Sequence, residues 1–321
     1  MKELGFKMEQ RYMGIDIGGT TTKFGVFTKE GRLLDKWSVP TDISENGKHI
    51  IPKIYREIKV FTESKGRISG AGLGIPGPVT QEGFVENCVN LGWRDVNPER
   101  ELAGLLGDVL VAGGNDANVA ALGEAWKGAG AGCENIFMVT LGTGVGGGAV
   151  VNGEIVNGMQ GLSGEIGHIP VNEKETEKCN CGNCGCLDQI ASATGIVRYT
   201  RRLLRESSRK SCLEDRDGLT AAEITAAAAS GDAIGTEGLA YSMACLGKSL
   251  AIVSHIIDPE MFIIGGGVSA AGEMLIPMIQ EGYDRHIYLK KSHAAIRLAK
   301  LGGDAGIYGA ARLAMQKGEN L

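Results

Sequence analysis

The sequence predicts an α/β protein built from two related halves, and three observations carry that prediction. First, two stretches share one grammar of apolar strand, glycine/threonine turn and apolar strand: IDIGGTTTKFGVF at 15–27 and VTLGTGVGGGAVV at 139–151. A pattern repeated roughly one domain apart is the mark of duplicated units. Second, short β-branched runs alternate with segments of helical period, the signature of α/β architecture. Third, the 50 glycines fall in runs after apolar stretches. That placement is read as backbone turning tightly around phosphates or sugars, not as flexible linker.

The elements follow in order. Residues 1–11 form a polar lead. Strands at 12–17 and 23–27 flank Gly18-Gly19-Thr20-Thr21-Thr22, with Asp16 at the base of the turn. Backbone N–H groups and threonine hydroxyls at such a tip can cradle phosphate. The stretch is no P-loop, because no GK[ST] follows, and a plain hairpin turn explains it equally well. A strand at 36–39 precedes a helix at 50–64 with Ile51, Ile54, Ile58 and Phe61 on one face. A buried strand at 71–75 ends in Pro76-Gly77-Pro78-Val79, a stiff turn that is either structural or an approach of backbone to ligand. A loop carries Asn90 to Trp93.

A strand at 109–112 leads through Gly113 and Gly114 to Asn115 and Asp116, and a helix runs over 117–127. Asn and Asp at a strand-to-helix corner are either ligands or helix caps. The second hairpin, 137–141 and 149–151, turns at Gly142-Thr143-Gly144. A nucleotide clamped by the two hairpins is the simplest use of the symmetry. A basic helix runs to about Arg205, and 207–219 is a polar loop. An Ala-rich helix at 220–231 opens with Thr220 and Glu223 in capping-box relation. A long helix fills 238–257, a buried strand 261–264, and Gly265-Gly266-Gly267 opens another helix, a place where nucleotides lie close to backbone. A strand at 296–301 and a helix at 307–316 end the chain.

The densest chemistry lies in GEIGHIPVNEKETEKCNCGNCGCLD, 164–188. Glu165 and His168 stand three residues apart, and Cys179, Cys181, Cys184 and Cys186 follow in a turn-rich run before Asp188. Clustered Cys and His point to a metal, and zinc suits thiolate with imidazole. A redox-reactive thiol cluster is the alternative.

Composition narrows the function. Of 321 residues, 43% are hydrophobic and 22% charged, with formal net charge −5. No basic run stands out, so nucleic acid is disfavoured as a partner. No membrane-spanning run or signal peptide is read, and a cytoplasmic protein is expected. The eight Cys are not spaced as a secreted disulfide scaffold.

Taken together, the motifs resemble one family in one order. The chain resembles the bacterial glucokinases of the ROK group. The resemblance rests on Asp16-Ile17-Gly18-Gly19-Thr20 with Lys23, Gly74-Ile75-Pro76-Gly77-Pro78-Val79 and Asn115-Asp116-Ala117-Asn118. It continues through 141–148, Gly164-Glu165-Ile166-Gly167-His168, Cys179-Asn180-Cys181-Gly182 with Gly185-Cys186, and Gly303-Asp304-Ala305-Gly306.

The resemblance implies an actin-like, hexokinase-like (ribonuclease H-like) fold of two α/β domains with a cleft between them. The division expected is 1–114 plus 305–321 as the smaller domain and 115–304 as the larger. The implied activity is ATP-dependent phosphorylation of glucose at its 6-hydroxyl, with Asp116 as general base. Kinases of other hexoses, such as mannose or an N-acylated hexosamine, and a non-catalytic sugar-binding regulator are the alternatives. Gly77, Asn115, Asp116, Glu165, His168 and Asp188 are the implied sugar-side residues. Asp16, Gly18, Gly19, Thr20, Lys23, Gly142, Thr143, Gly144, Gly265, Gly266 and Gly267 are the implied ATP and Mg²⁺ side. Lys23 could add charge there, but its place in the hairpin favours an exposed lysine. His168, Cys179, Cys181 and Cys186 are the implied ligands of a structural Zn²⁺. The chain departs from the family at Asp188, where a Glu is usual, at Cys184, an extra thiol, and at Gly113-Gly114, which replace an apolar–acidic pair. The hairpin starting near residue 12 leaves no room before it for a DNA-binding helix-turn-helix, which favours an enzyme over a repressor. A homodimer or higher homo-oligomer is expected.

Overall fold

The computed structural model describes residues 10–214, 218–289 and 294–319. Most of the polar lead, and residues 215–217 of the expected 207–219 loop, therefore lie outside the described residues. In chain order the structure runs β1 (Arg11–Ile17), β2 (Thr21–Thr28), β3 (Leu33–Pro40), the short turn α1 (Ser44–Gly47), α2 (Ile50–Lys65) and β4 (Gly70–Ile75). It continues with β5 (Val85–Cys88), β6 (Trp93–Val96), α3 (Pro98–Leu106), β7 (Leu110–Asn115) and α4 (Asp116–Lys127). Then come β8 (Ile136–Leu141), β9 (Val145–Val151), β10 (Glu154–Ile155), α5 (Asp188–Ala191), α6 (Ala193–Glu206), α7 (Ala221–Ala229) and α8 (Ala233–Ile257). The last elements are β11 (Met261–Gly265), α9 (Leu275–His286), β12 (Ala295–Leu298) and α10 (Ala305–Glu319).

Packing divides the described residues into two compact units, one drawn from 1–131, 155–163 and 303–321 and the other from 132–154 and 164–302. The 114/115 boundary drawn from sequence falls at the β7–α4 corner, and α4 packs on α10 within the first unit. Each unit holds a five-stranded sheet. The orders are β3-β2-β1-β4-β7 and β10-β9-β8-β11-β12. Position for position these are the same: an antiparallel hairpin, then two strands parallel to its first member. The repeated hairpins in the sequence are the β1–β2 and β8–β9 pairs of this duplicated topology, and the fold is the actin-like, hexokinase-like one.

The first sheet is buried on both faces, as parallel central strands require. On one face α2 lays Ile51, Ile54, Ile58 and Phe61 against Ile15, Phe24 and Leu73. Trp37 stacks between Phe24 and Phe61, with ring centroids 5.0 and 5.8 Å apart. Each such pair contributes about 0.5–1.5 kcal/mol beyond area burial. On the other face α10 sits directly on the strands. A Cβ at Gly14 would lie 1.8 Å from the Ile307 carbonyl oxygen, and one at Gly72 would lie 1.7 Å from that of Ala310. Alanine at either position would push the helix off the sheet.

In the second unit α8 is the central helix. It is long and apolar enough to cross a membrane by length and composition alone, which corrects the sequence expectation of no such run. Gly, Ser, Glu237 and Lys248 interrupt it in the sequence and hid it. It packs as a core helix, with Leu239, Met243, Leu246 and Leu250 fully buried.

Helices α1, α3 and α5 and strands β5, β6 and β10 were not read from sequence. The hairpin β5–β6 and helix α3 occupy a stretch where only a loop at Asn90 to Trp93 was expected, and Trp93 opens β6. Strand β7 runs through Gly113 and Gly114 to Asn115 instead of ending at Ala112. The Gly265-Gly266-Gly267 turn opens a 3₁₀ stretch, Gly267–Met274, broken at Gly272, and the α-helix begins only at Leu275.

Candidate active site

In the first unit the candidate residues collect at the carboxyl ends of β1, β4 and β7. Asp16 is paired across the hairpin with Lys23 and alongside Gly74 in β4. Burial pushes the Asp16 carboxyl above its usual range, and the Lys23 ammonium partly opposes that shift. Helix α10 closes on it at Gly306, where a Cβ would stand 2.7 Å from Asp16 Cγ. Lys23 is half-buried, and its Nζ donates to the Gly303 carbonyl at 2.6 Å, so it is not a loose hairpin lysine. The tip between the strands is closed by Gly18 N–H donating to Thr21 O at 3.0 Å, and Thr20 is exposed at it.

Asn115 is both a cap and a holder. Its Oδ1 accepts from Asn118 N–H at 3.1 Å, which caps α4. Its Nδ2 donates to Gly77 O at 2.9 Å and to Asp116 Oδ1 at 3.1 Å. Asp116 Oδ1 also accepts from Ala117 N–H at 2.8 Å. Gly77 has φ +89°, a conformation glycine adopts readily, and this turns its carbonyl into the corner. The Gly113 N–H is bonded by Glu99 Oε2 at 2.7 Å, so the corner with two glycines is held by a side chain from α3.

The second unit brings the other candidates together. The hairpin tip is closed by Gly142 N–H donating to Gly144 O at 2.9 Å, and Thr143 is exposed. Gly266 approaches the base of this hairpin: with φ +84°, its Cβ position is 2.5 Å from Leu141 backbone. Beside Thr143 lies a cavity of about 550 Å³ lined by Thr194, Arg198, Arg201, Arg205 and Thr220 among others. Sequence reading noted a basic helix here but did not assign its arginines to a site. Their spacing of three and four residues along α6 was the available signal.

The GEIGH segment lies on β9. Gly164 and Gly167 allow this, since Cβ atoms there would stand 2.5 Å from Gly147 O and 2.3 Å from Val145 O. His168 ends the 3₁₀ turn Ile166–His168 and uses its two nitrogens differently. Nδ1 is 3.8 Å from Cys179 Sγ, and Nε2 is 4.0 Å from Glu165 Oε2. Both side chains remain about two-fifths exposed, at 42% and 43%.

His168, Cys179, Cys181 and Cys186 gather their donor atoms within 4.8 Å of one another. Cys181 and Cys186 sulfurs are 3.6 Å apart, too far for a disulfide. Ligands about 2.3 Å from a tetrahedral zinc would stand about 3.8 Å from each other, so the set fits that ion. Cys184 lies outside the set and donates to Thr176 O at 3.6 Å. The Asn183 N–H lowers the Cys181 thiol's pKa, and burial pushes that of Cys186 up to about 12. The loop is clamped to α6 through Glu175, whose side chain is 4% exposed and meets Arg198 at 3.0 Å and Arg202 at 3.4 Å. Burial opposes its ionisation, but the Glu177 N–H and the two guanidiniums hold the carboxyl below its usual range.

Comparison with known proteins adds to this geometry. The ROK family model matches residues 12–317. The chain belongs to the ROK family. A glucokinase of Halalkalibacterium halodurans is 39% identical to this ROK protein over 315 residues, 95% of each chain. An N-acetyl-D-glucosamine kinase of Haemophilus influenzae is 31% identical, covering 95% of this chain and all of the relative. The crystal structure of a ROK glucokinase from Streptomyces griseus with glucose and AMPPNP superposes with a TM-score of 0.77 at 33% identity. It covers 95% of this chain and 99% of that one.

Proposed function

We propose that this ROK protein transfers the γ-phosphoryl group of ATP to the 6-hydroxyl of an aldohexose, glucose first. The observation that carries the reading is the Asn115–Asp116 corner: a carboxylate oriented by a neighbouring amide at the head of a helix. Sugar kinase activity as a class is supported by the glucokinase relatives and by the glucokinase bound to glucose and an ATP analogue. Glucose itself is the finer part of the proposal, since an N-acetyl-D-glucosamine kinase is also a relative.

Phosphoryl transfer needs positioning and charge stabilisation more than covalent help. Asp116 accepts the hydroxyl proton as the sugar oxygen attacks phosphorus. Asn115 holds that carboxylate and contributes, with Gly77, Glu165, His168 and Asp188, to hydroxyl recognition. Gly18, Gly19, Thr20, Gly142, Thr143, Gly144 and the turn at Gly265, Gly266 and Gly267 present backbone and hydroxyl donors to the nucleotide. The basic cavity beside Thr143 is within the size range of nucleotide pockets. Asp16 would anchor Mg²⁺ through water, and the ion supplies neutralisation of phosphate charge. Lys23 stays committed to Gly303 O and acts on the phosphates only as a nearby charge. His168, Cys179, Cys181 and Cys186 would hold a zinc ion that fixes the loop, leaving His168 Nε2 for a sugar hydroxyl.

ADP release over a panel of hexoses with MgATP tests the reading. The expected result is turnover with glucose exceeding that with mannose and N-acetylglucosamine. Preference for N-acetylglucosamine would reassign the substrate, and no hexose-dependent release would overturn the activity.

A further inference from the structure

Asp188 stands where the family resemblance implies a sugar ligand, yet one of its oxygens is already committed. Oδ1 accepts from the Val145 N–H at 2.7 Å, a bond between residues 43 apart in sequence. Val145 is the first residue of β9 and follows the Gly142-Thr143-Gly144 tip directly. The carboxylate lies so close over the tip that a Cβ at Gly144 would stand 2.8 Å from the same Oδ1.

Two neighbouring bonds run the same way. Ala193 N–H donates to Gly142 O at 2.8 Å, and Thr194 Oγ1 donates to Thr143 O at 3.1 Å. The segment beginning at Asp188 therefore grips the tip at Gly142, Thr143 and Val145 in turn. On its other side the segment is tied to the Cys loop. Cys186 N–H donates to Gln189 Oε1 at 3.2 Å, and Leu187 N–H donates to Ile169 O at 2.9 Å. The Asp188 carbonyl accepts from Ser192 Oγ at 2.5 Å, which fixes the turn from α5 into α6.

We propose that Asp188 is a positioning residue for the phosphoryl donor: its carboxylate sets the shape of the second glycine tip and joins that tip to the Cys/His loop. The inference rests on the reading of the tip as a phosphate cradle. It also accounts for the acid's length. With Oδ1 already in bond with Val145 and in contact with the Gly144 position, one more methylene would drive the carboxylate past the N–H or into the tip. Through Oδ1 the shorter acid thus serves the nucleotide side of the reaction in addition to the role proposed for it in hydroxyl recognition.

The test compares wild type with Asp188→Ala, Asp188→Asn and Asp188→Glu, purified without chelators. Binding of MgAMPPNP is measured by calorimetry in the absence of sugar, beside KM for ATP and for glucose. A half-buried carboxylate bonded by a backbone N–H is worth about tenfold in an equilibrium constant, so Asp188→Ala is expected to weaken MgAMPPNP by about that factor. Asp188→Asn keeps an acceptor of the same length and is expected to recover most of the affinity, which separates positioning from misfolding. Asp188→Glu is expected to weaken MgAMPPNP as the alanine variant does. An Asp188→Ala protein that binds MgAMPPNP like wild type and raises only KM for glucose overturns the inference. A wild type that binds MgAMPPNP with this Asp188 dependence but releases no ADP with any hexose leaves the inference standing and removes the proposed substrate.

Discussion

Asn115 Nδ2 donates to Asp116 Oδ1 at 3.1 Å while its own Oδ1 caps helix α4 through Asn118 N–H. One side chain therefore secures the helix and aims the carboxylate at its head. Asn115→Asp should separate the two duties. The cap acceptor survives, so stability should fall by less than the ~1 kcal/mol typical of a cap removed by alanine. Donation to Gly77 and Asp116 is lost, and a second carboxylate appears beside the first. Like charge raises the pKa of the pair, so the acid limb of the kcat/KM profile should move to higher pH. A pH–rate profile unchanged from wild type would show that Asn115 does not orient the base.

Burial of the Asp16 carboxyl carries a stability penalty. Its folded pKa lies above the unfolded value because burial disfavours the charge. The folded state then binds more protons than the unfolded state as pH rises from the unfolded pKa to the folded one. Stability falls through that window and stays lowered above it. Asp16→Asn should raise Tm at neutral pH by a few degrees, on the order of what 1 kcal/mol gives, with the difference vanishing towards low pH. The same variant should lose MgATP-dependent turnover. Differential scanning across pH, paired with an ADP-release assay, checks both. A lower Tm at neutral pH would contradict the burial account.

Cys181→Ala removes one of four donors gathered within 4.8 Å. The variant should lose zinc and raise KM for the sugar by at least about tenfold, the scale of losses when metal-site partners are removed. Elemental analysis of the purified protein and sugar kinetics measure this. Cys184→Ala should change neither, because its sulfur points to Thr176 O and not to the cluster. Zinc lost from the Cys184 variant but kept in Cys181→Ala would reverse the assignment.

The hairpins, the Asn115–Asp116 corner and the Cys/His cluster were legible because short-range spacing defines them. Repeated glycine/threonine turns gave the duplication, and the two sheets repeat the same strand order. The capping box at Thr220 and Glu223 and the buried face of α2 were legible for the same local reason. The β5–β6 hairpin was not, because its strands are four residues long and their middle residues are exposed. Strand β7 was cut short because Gly113 and Gly114 read as loop, whereas pairing with Leu73 and Gly74 keeps them extended. The bond from Val145 to Asp188 joins residues 43 apart, and nothing in local spacing marks it. At Asn115 the cap reading is met by the amide oxygen, while the amide nitrogen bonds Gly77 O and Asp116 Oδ1.

The most direct test of the central claim is the turnover of Asp116→Asn with MgATP and glucose. The amide keeps a hydrogen bond to the sugar hydroxyl but cannot take its proton. The expected result is a fall in kcat of about 10²–10⁴-fold, with glucose affinity by direct titration within a few-fold of wild type. A kcat near wild type would contradict the assignment of Asp116 as the base and, with it, the chemistry proposed for this site.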